Sequence, residues 1–294
     1  MLFRSMAIPA WKIAPALAFG NCVLFKPAEL VPGCAWALTE ILSRAGLPSG
    51  AFNLINGTGR IVGDAIVQSP ELDAISFTGS TSVGKQILGR AAQRSARVQL
   101  EMGGKNALVV LDDADLDVAV ECAIQGAFFS AGQRCTASSR LIVTEKVHDR
   151  FVAGITSHME RLVIGDALDD RSDIGPVASE AQLHQVERYT TLATAEGGEL
   201  IERGELAARS SGYYLRPRLV VNTHATMAVN CEEVFGPLAS VIRVRDYEEA
   251  LVVTNNTPFG LSAGICIRSL KHAEHFKRSA EAGMVMNRDR KSVV

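Results

Sequence analysis

Short apolar runs alternate with longer stretches of helical spacing through the first hundred residues. The runs with the length of buried strands are 22–26, 52–55, 74–77 and 98–101. Apolar positions recur at helical spacing in 9–19, 32–45, 60–68 and 81–93. Because helical stretches connect short strands, the pattern predicts a parallel sheet with helices on its faces and right-handed crossovers.

The alternation starts again after Gly103 and Gly104. Further strands are predicted at 107–111, 141–144, 219–221, 239–244 and 263–267. Further helices are predicted at 115–131, 147–162, 182–196, 247–255 and 270–282, with a turn at 173–177. No long segment repeats and no Ser/Gly/Pro-rich linker separates the halves, so we expect two α/β units that meet at a hinge near Gly103.

Composition places the chain among ordinary globular proteins of about two domains. It has 294 residues, of which 47% are hydrophobic and 21% charged, so disordered and collagen-like classes are excluded. The 30 basic and 32 acidic residues leave a net charge of −2. Nothing in this balance favours nucleic acid or an anionic membrane as a partner.

The cysteines and the apolar segments favour the cytoplasm as the predicted location of the protein. Six cysteines show neither a C-x-x-C pair nor metal-ligand spacing, so we expect free thiols and no metal site. The most apolar segment, 8–25, contains Lys12, two prolines and Gly20, and it has the layout of neither a transmembrane helix nor a signal peptide.

Cys135 is the strongest candidate for a nucleophile. A lone cysteine is most often a small buried hydrophobe, and we expect core packing for the other five. Cys135 differs because it follows Gly132, Gln133 and Arg134 at a predicted helix end, where a turn can expose it. A neighbouring guanidinium favours a thiolate.

Glu101 is a candidate general base. It lies at the end of a predicted strand and before the glycine turn Gly103-Gly104, where sites form in α/β proteins. Burial there would favour the neutral carboxyl and suit it to proton transfer. A structural role, as a cap or an ion pair with Lys105, is equally compatible with the sequence.

Two glycine-rich turns compete as phosphate-binding loops. The segment 57–63 (GTGRIVG) follows a strand but has one residue too many for G-x-G-x-x-G, and a plain turn explains it equally well. In 77–84 (FTGSTSVG), Gly79 and Ser80 begin a predicted helix, whose free N–H groups suit a pyrophosphate. The alternative for this second loop is a simple helix cap.

Two further acidic loops could either bind a ligand or have purely solvated side chains. Lys26 and Glu29, in 26–29 (KPAE), follow a strand and could bind ribose hydroxyls, or they could be solvated. Glu233 and Phe235 lie in the acidic turn 232–237 (EEVFGP), where solvated carboxylates are again the alternative. The six histidines show no partner spacing and are expected to be structural.

Taken together and in this order, the motifs resemble those of the aldehyde dehydrogenase superfamily. The resemblance runs from residue 8 to 286, and the interval of 34 residues from Glu101 to Cys135 also fits. The similar stretches are IPAWKIAPALAFGN, KPAE, GLPSGAFNLINGTG, ISFTGSTSVG, LEMGGKN, DDADLDVAV, FFSAGQRCTASSR, EEVFGPLA, NNTPFGLSAGI and EAGMVM.

The resemblance implies a partial Rossmann-type cofactor domain at 6–103 and an incomplete catalytic domain at 104–286. It implies that Cys135 attacks an aldehyde, that its backbone N–H stabilises the oxyanion, and that Glu101 activates the water that hydrolyses the resulting thioester. It implies NAD or NADP as cofactor. The residues implied to hold the cofactor are Lys26, Ala28, Glu29, Gly79, Ser80, Gly84, Glu233 and Phe235.

Within the superfamily, several stretches are most similar to bacterial 2-oxoglutarate semialdehyde (2,5-dioxovalerate) dehydrogenases. They are KPAELVPGCAWAL, FFSAGQRCTASSRLIVTEKVHDRFV and SLKHAEHFKRSAEAGMVM. Succinate semialdehyde and other aliphatic aldehyde dehydrogenases are the neighbouring groups. A small aldehyde substrate and a homo-oligomeric parent are implied.

The ends, 1–5 and 287–294, depart from the family pattern. The family's side-chain oxyanion donor, an Asn, falls on Phe3, and Asn287 is a doubtful match to a second Asn. The first strand of the cofactor sheet has no counterpart. These departures suggest a truncated chain of low activity, and a non-catalytic fragment is the main alternative. A cofactor-free thiol esterase is a third hypothesis, but it leaves KPAE and FTGSTSVG unexplained.

Overall fold

The computed structural model describes residues 6–207 and 211–288. The chain divides into two compact units between Met102 and Gly103, one residue before the predicted boundary. Unit 1 comprises the residues up to Met102, and unit 2 comprises those from Gly103 onward.

Every helix and strand predicted for unit 1 is present, with small shifts at the ends. The helices are α1 (Ile8–Ala18), α2 (Pro32–Arg44), α3 (Asp64–Gln68) and α4 (Thr81–Ala92). The strands are β1 (Val23–Phe25), β2 (Phe52–Leu54), β3 (Ala74–Gly79) and β4 (Arg97–Met102). The predicted helix 60–68 is divided, because a π-helical turn, Gly59–Gly63, precedes α3.

The strands of unit 1 form two separate parallel pairs rather than the single predicted sheet. β1 pairs with β2 and β3 pairs with β4. A cavity of about 1470 Å³, lined by residues of α1, β1 and β3, lies in this unit. Several large apolar side chains of unit 1, such as Trp11, Phe19 and Trp36, are exposed.

Unit 2 is built around a seven-stranded sheet. The strands of unit 2 are β5 (Asn106–Val110), β6 (Ser138–Thr144), β7 (Val163–Ile164), β8 (Glu199–Glu202), β9 (Glu205–Leu206), β10 (Arg218–Thr223), β11 (Leu238–Val244), β12 (Ser262–Cys266) and β13 (Met284–Arg288). Of these, β7 and β9 form a separate pair outside the main sheet. Its helices are α5 (Leu116–Ala127), α6 (Glu145–Glu160), α7 (Glu180–Ala195), α8 (Ala228–Cys231), α9 (Tyr247–Asn255) and α10 (Leu270–Ser279).

The order of strands in this sheet is β13-β12-β5-β6-β11-β10-β8. All neighbours are parallel except β8, which runs antiparallel to β10 at one edge. Two apolar clusters cover the two faces, so central strands such as β5 are buried along their whole length. Burial on both faces explains the continuous apolar runs in the sequence.

Two helices predicted in unit 2 extend too far, and the strand β13 was missed. The predicted helix 115–131 ends at Ala127, because left-handed residues interrupt a following 3₁₀ turn, Phe129–Gly132. The predicted helix 270–282 ends at Ser279. The strand β13 was not predicted, and it continues past residue 286 to pair Asn287 with Ile265.

Candidate active site

The loop that carries Cys135 begins with an unusual backbone. Ser130, Ala131 and Gly132 have φ values of 57°, 53° and 64°, three left-handed residues in succession. Left-handed non-glycine residues store backbone strain and cluster at functional sites. A Cβ added to Gly132 would lie 2.1 Å from the carbonyl oxygen of Gly236, so this loop contacts the EEVFGP turn closely.

Side chains on both sides of Cys135 anchor the loop. The Oε1 atom of Gln133 accepts a hydrogen bond from the backbone N–H of Ala178 at 2.8 Å. The Arg134 guanidinium donates to the carbonyl oxygens of Gln125 and Gly126. Burial lowers the pKa of Arg134, while the charge of the Cys135 thiolate acts in the opposite direction. The charges of Arg134 and Cys135 therefore interact, and the prediction that the guanidinium favours a thiolate stays a prediction.

Asn106 makes the third link to this loop, and sequence analysis missed it. Its Nδ2 donates to the carbonyl oxygens of Cys135 at 2.8 Å and Ala137 at 3.0 Å. Its Oδ1 accepts from the backbone N–H of Ser262 at 3.1 Å. The available signal was an amide at the first position of an otherwise apolar buried strand, NALVV.

The two glycines before Asn106 lie directly against the candidate site residues. A Cβ on Gly103 would meet the carboxylate of Glu233 within 2.2 Å, and the Gly104 N–H donates to Glu233 Oε1 at 3.3 Å. A Cβ on Gly104 would lie 3.1 Å from the carbonyl oxygen of Cys135. Cys135 and Glu233 are therefore both in contact with the same glycine turn.

The EEVFGP turn is also held from α7. The Nε2 atoms of Gln182 and Gln185 each donate to the carbonyl oxygen of Val234 at 2.9 Å. Phe235 adopts a left-handed backbone with φ 58°. Two strained segments, one next to Cys135 and one next to Glu233, therefore lie in close contact.

Lys105 is a buried amine at the centre of this region. It is 1% exposed, and within the described residues its Nζ has no hydrogen-bond partner. Burial, together with the nearby Arg140 guanidinium, lowers the pKa of Lys105 from 10.5 to about 7, against the attraction of Glu233, Cys231 and Glu232. Because the Lys105 amine has no partner among the described residues, the alternative of an ion pair between Glu101 and Lys105 is wrong.

This lowered pKa predicts a specific pH dependence of stability. Between pH 7 and 10.5 the unfolded chain keeps the Lys105 proton and the folded chain does not, so the free energy of unfolding rises with pH in that window. Lys105→Met should therefore stabilise the chain most below about pH 7, and the gain should shrink by about 2 kcal/mol by about pH 9. Urea denaturation at the two pH values measures it. Exposed Lys271→Met is the control, and an equal pH response in both variants would contradict the assignment.

In unit 1 the structure brings together two motifs that the sequence left separate. The Oε1 atom of Glu29 accepts a hydrogen bond from the Gly59 N–H at 2.6 Å. The Lys26 amine donates to the carbonyl oxygens of Pro27 at 2.6 Å and Gly57 at 3.3 Å. KPAE and GTGRIVG therefore form one loop cluster, of which Ala28 is an exposed member.

The N-terminus of α4 carries unsatisfied donors. Ser80 is the N-cap residue, but its side chain makes no capping hydrogen bond. The buried hydroxyls of Thr78 and Thr81 have no partner among the described residues. A helix start with free N–H groups and two hydroxyls in need of partners fits a phosphate group.

Two glycines predicted to serve the cofactor have a packing explanation. A Cβ on Gly79 would lie 2.4 Å from the ring of Phe77, and a Cβ on Gly84 would lie 2.5 Å from the sulfur of Met102. The Gly79 contact lies within β3, and the Gly84 contact brings α4 close to the end of β4. Contact of Gly79 and Gly84 with a cofactor remains a prediction.

Glu101 is exposed on β4, contrary to the expected burial. Its Oε1 accepts from the side chain of Gln99 at 2.6 Å. Burial lowers the pKa of the nearby Lys12, whose amine donates to the Phe77 carbonyl oxygen at 3.0 Å, and the Glu101 charge opposes that shift. Lys12, which the sequence analysis did not consider as a site residue, is therefore a cation whose charge interacts with that of Glu101 within unit 1.

The predicted residues divide between the two units. Cys135, Glu233 and Phe235 belong to unit 2, and the remaining candidates belong to unit 1. The expected core packing of the other cysteines is wrong for Cys22 and Cys231, which are exposed, while Cys266 is buried. Phe3, the position aligned with the family's oxyanion donor, lies outside the described residues.

Comparison with known proteins gives the family. The Aldehyde dehydrogenase family profile matches residues 4–293. The chain belongs to the aldehyde dehydrogenase family, and the predicted α/β fold is confirmed. No described helix is both long and apolar enough to span a membrane.

Individual relatives add detail. The chain is 42% identical to an alpha-ketoglutaric semialdehyde dehydrogenase of Bacillus subtilis, over 95% of the chain and 58% of that relative. It is 41% identical to a betaine aldehyde dehydrogenase of Cereibacter sphaeroides, over 94% and 57%. A Staphylococcus aureus betaine aldehyde dehydrogenase solved with NAD⁺ superposes with TM-score 0.92 at 33% identity, over 97% and 57%. The chain thus spans just under three fifths of the length of these relatives.

Proposed function

We propose that the chain contributes to the NAD(P)-dependent oxidation of an aliphatic semialdehyde, 2-oxoglutarate semialdehyde, to the carboxylate. The observation that carries the proposal is the Cys135 loop. Its strained backbone, its anchored flanks and its contact with the EEVFGP turn hold the half-buried Cys135 and the Glu233 carboxylate against the same glycine turn. Such an arrangement suits covalent catalysis by a fixed nucleophile.

The chain's own residues account for the covalent steps. The Cys135 sulfur bonds to the aldehyde carbon, and the backbone N–H of Cys135 stabilises the oxygen that gains charge. Oxidation of this thiohemiacetal to a thioester needs a two-electron acceptor, which a nicotinamide cofactor would supply when bound. Glu101 then takes a proton from water, whose oxygen bonds to the acyl carbon, and the carbon–sulfur bond breaks to release the carboxylate and Cys135.

Residues of unit 1 fit part of a dinucleotide. The partnerless hydroxyls of Thr78 and Thr81 and the uncapped start of α4 suit the pyrophosphate. The loop cluster of Lys26, Ala28 and Glu29 would hold the adenosine ribose. Glu233 would hold the nicotinamide ribose, with Phe235 beside the ring.

The substrate is assigned by similarity. The Bacillus subtilis relative is named for alpha-ketoglutaric semialdehyde, as is one of Haloferax volcanii at 40% identity. The proposal places a homo-oligomeric enzyme in the cytoplasm, where the six free thiols would persist.

The test is an aldehyde panel assayed by reduced-cofactor formation. It compares 2-oxoglutarate semialdehyde, succinate semialdehyde and betaine aldehyde, each with NAD and NADP. Two proteins are assayed: the chain itself, and a chimera in which the chain replaces the matching part of the Bacillus subtilis relative. We expect the highest kcat/KM with 2-oxoglutarate semialdehyde. Preference for another aldehyde would overturn the substrate, and a folded chimera without activity would support a non-catalytic chain.

A further inference from the structure

Asn106 has a buried side chain that links the nucleophile loop to two strands of the central sheet. It is 4% exposed. Its two donated hydrogen bonds go to the carbonyl oxygens of Cys135 and Ala137, which lie in the loop just before β6. Its accepted bond comes from Ser262, the first residue of β12. One amide therefore joins the starts of β5 and β12 to the loop.

We propose that Asn106 is a positioning residue that fixes the direction of the Cys135 side chain. The proposal rests on the proposed function of Cys135 as nucleophile. A carbonyl held at 2.8 Å leaves the peptide after Cys135 little freedom to rotate. The Cα–Cβ bond of Cys135 is attached to the same backbone, so its direction is fixed with it.

The local backbone is shaped for this contact. The pairing of β5 with β6 shifts register between Asn106 and Ala107, whose partners are Ser138 and Arg140. This irregularity frees the carbonyl oxygen of Ala137 and the loop before it to face the amide. A Cβ on Gly104 would lie 2.7 Å from the Oδ1 of Asn106. The absence of a side chain at Gly104 therefore leaves room for the side chain of Asn106.

An amide is the side chain that this position needs. The two loop partners are acceptors and the Ser262 N–H is a donor, so the side chain must present both kinds of group. A carboxylate would keep the bond to Ser262 but would face two carbonyl oxygens with no hydrogen to donate. Asn106→Asp therefore separates the link to Cys135 from the link to β12.

The chain offers a matched control in Asn255. Its Nδ2 donates to the Ser279 carbonyl oxygen at 2.9 Å, and its Oδ1 accepts from the Glu281 N–H at 3.0 Å. Asn255→Asp removes the donor and keeps the acceptor, as Asn106→Asp does, but it acts on the ends of α9 and α10. Both variants are first compared by thermal melting.

The first measurement is the rate at which iodoacetamide alkylates Cys135 in the 294-residue chain, read by peptide mass spectrometry. Two lost hydrogen bonds loosen the loop, so Asn106→Asp should raise the rate roughly tenfold. Asn255→Asp should leave it unchanged. Equal rates in wild type and Asn106→Asp, or the same rise in both variants, would overturn the proposal.

The second measurement is turnover in the chimera. A misdirected thiol should lower kcat by about 10²-fold for Asn106→Asp, with KM nearly unchanged. The ratio of variant kcat to wild-type kcat should increase as the pH is lowered from about 8 to about 6. The reason is that the introduced carboxyl group regains a hydrogen-bond donor when it is protonated. A change in KM with kcat unaffected would contradict the positioning role. A ratio of kcat values that stays constant between these pH values would also contradict it. If the wild-type chimera oxidises no aldehyde, the proposed function fails and the alkylation rates alone decide the role of Asn106.

Discussion

Cys135→Ala should abolish aldehyde oxidation, lowering kcat/KM by roughly 10⁴-fold or more, because it removes the sulfur that would carry the acyl intermediate. The pre-steady-state burst of reduced cofactor should disappear with it. Stopped-flow absorbance on the chimera measures both. The fold should be unaffected, since the side chain is small and only half-buried.

The control for this variant is Cys122→Ala. Cys122 is another half-buried cysteine of unit 2, on α5 rather than on the strained loop. We expect near wild-type kinetics from it. Similar losses in both variants would point to a structural role of the cysteines, and a persistent burst in Cys135→Ala would assign the nucleophile elsewhere.

Gly132→Ala should be among the most destabilising single changes in unit 2. The φ of +64° already disfavours a side chain, and the new Cβ would lie 2.1 Å from the Gly236 carbonyl oxygen and 2.9 Å from that of Ala127. Both neighbours are backbone atoms and cannot rotate away. We expect a loss of about 3 kcal/mol or more in the free energy of unfolding, measured by urea denaturation.

Gly197→Ala isolates the backbone contribution. Gly197 has φ +99°, but nothing lies within 4 Å of its added Cβ. Its substitution should cost only about 1–2 kcal/mol, the penalty of the left-handed conformation alone. Equal losses at the two glycines would show that the contact between the Cys135 loop and the EEVFGP turn is not close.

Much of unit 2 could be predicted from sequence because burial on both faces leaves a clear apolar signal. β5 and β6 appear as continuous apolar runs, and Asp115 caps α5 through its hydrogen bond to the Val118 N–H. Two-residue strands such as β7 and β9 carry too few positions to show a period. They could not be found in this way.

The candidate site residues could be proposed from the sequence, but their geometry could not. Cys135 and Glu233 stand out by their motifs, whereas the left-handed run at Ser130 has no signature in residue type. Contacts between distant segments, such as Asn106 with Cys135 or Glu29 with Gly59, depend on tertiary packing. Hydrophobic periodicity carries no information about them.

The separation of roles between Cys135 and Glu101 is the central claim, and one measurement addresses it directly. Glu101→Gln in the chimera is mixed with 2-oxoglutarate semialdehyde and NAD, quenched in acid, and digested for peptide mass spectrometry. If Glu101 acts only on the hydrolytic water, a burst of reduced cofactor should accompany an acyl group on the peptide that contains Cys135, and turnover should then stop. A burst without an adduct on Cys135, or unimpaired turnover, would contradict the account.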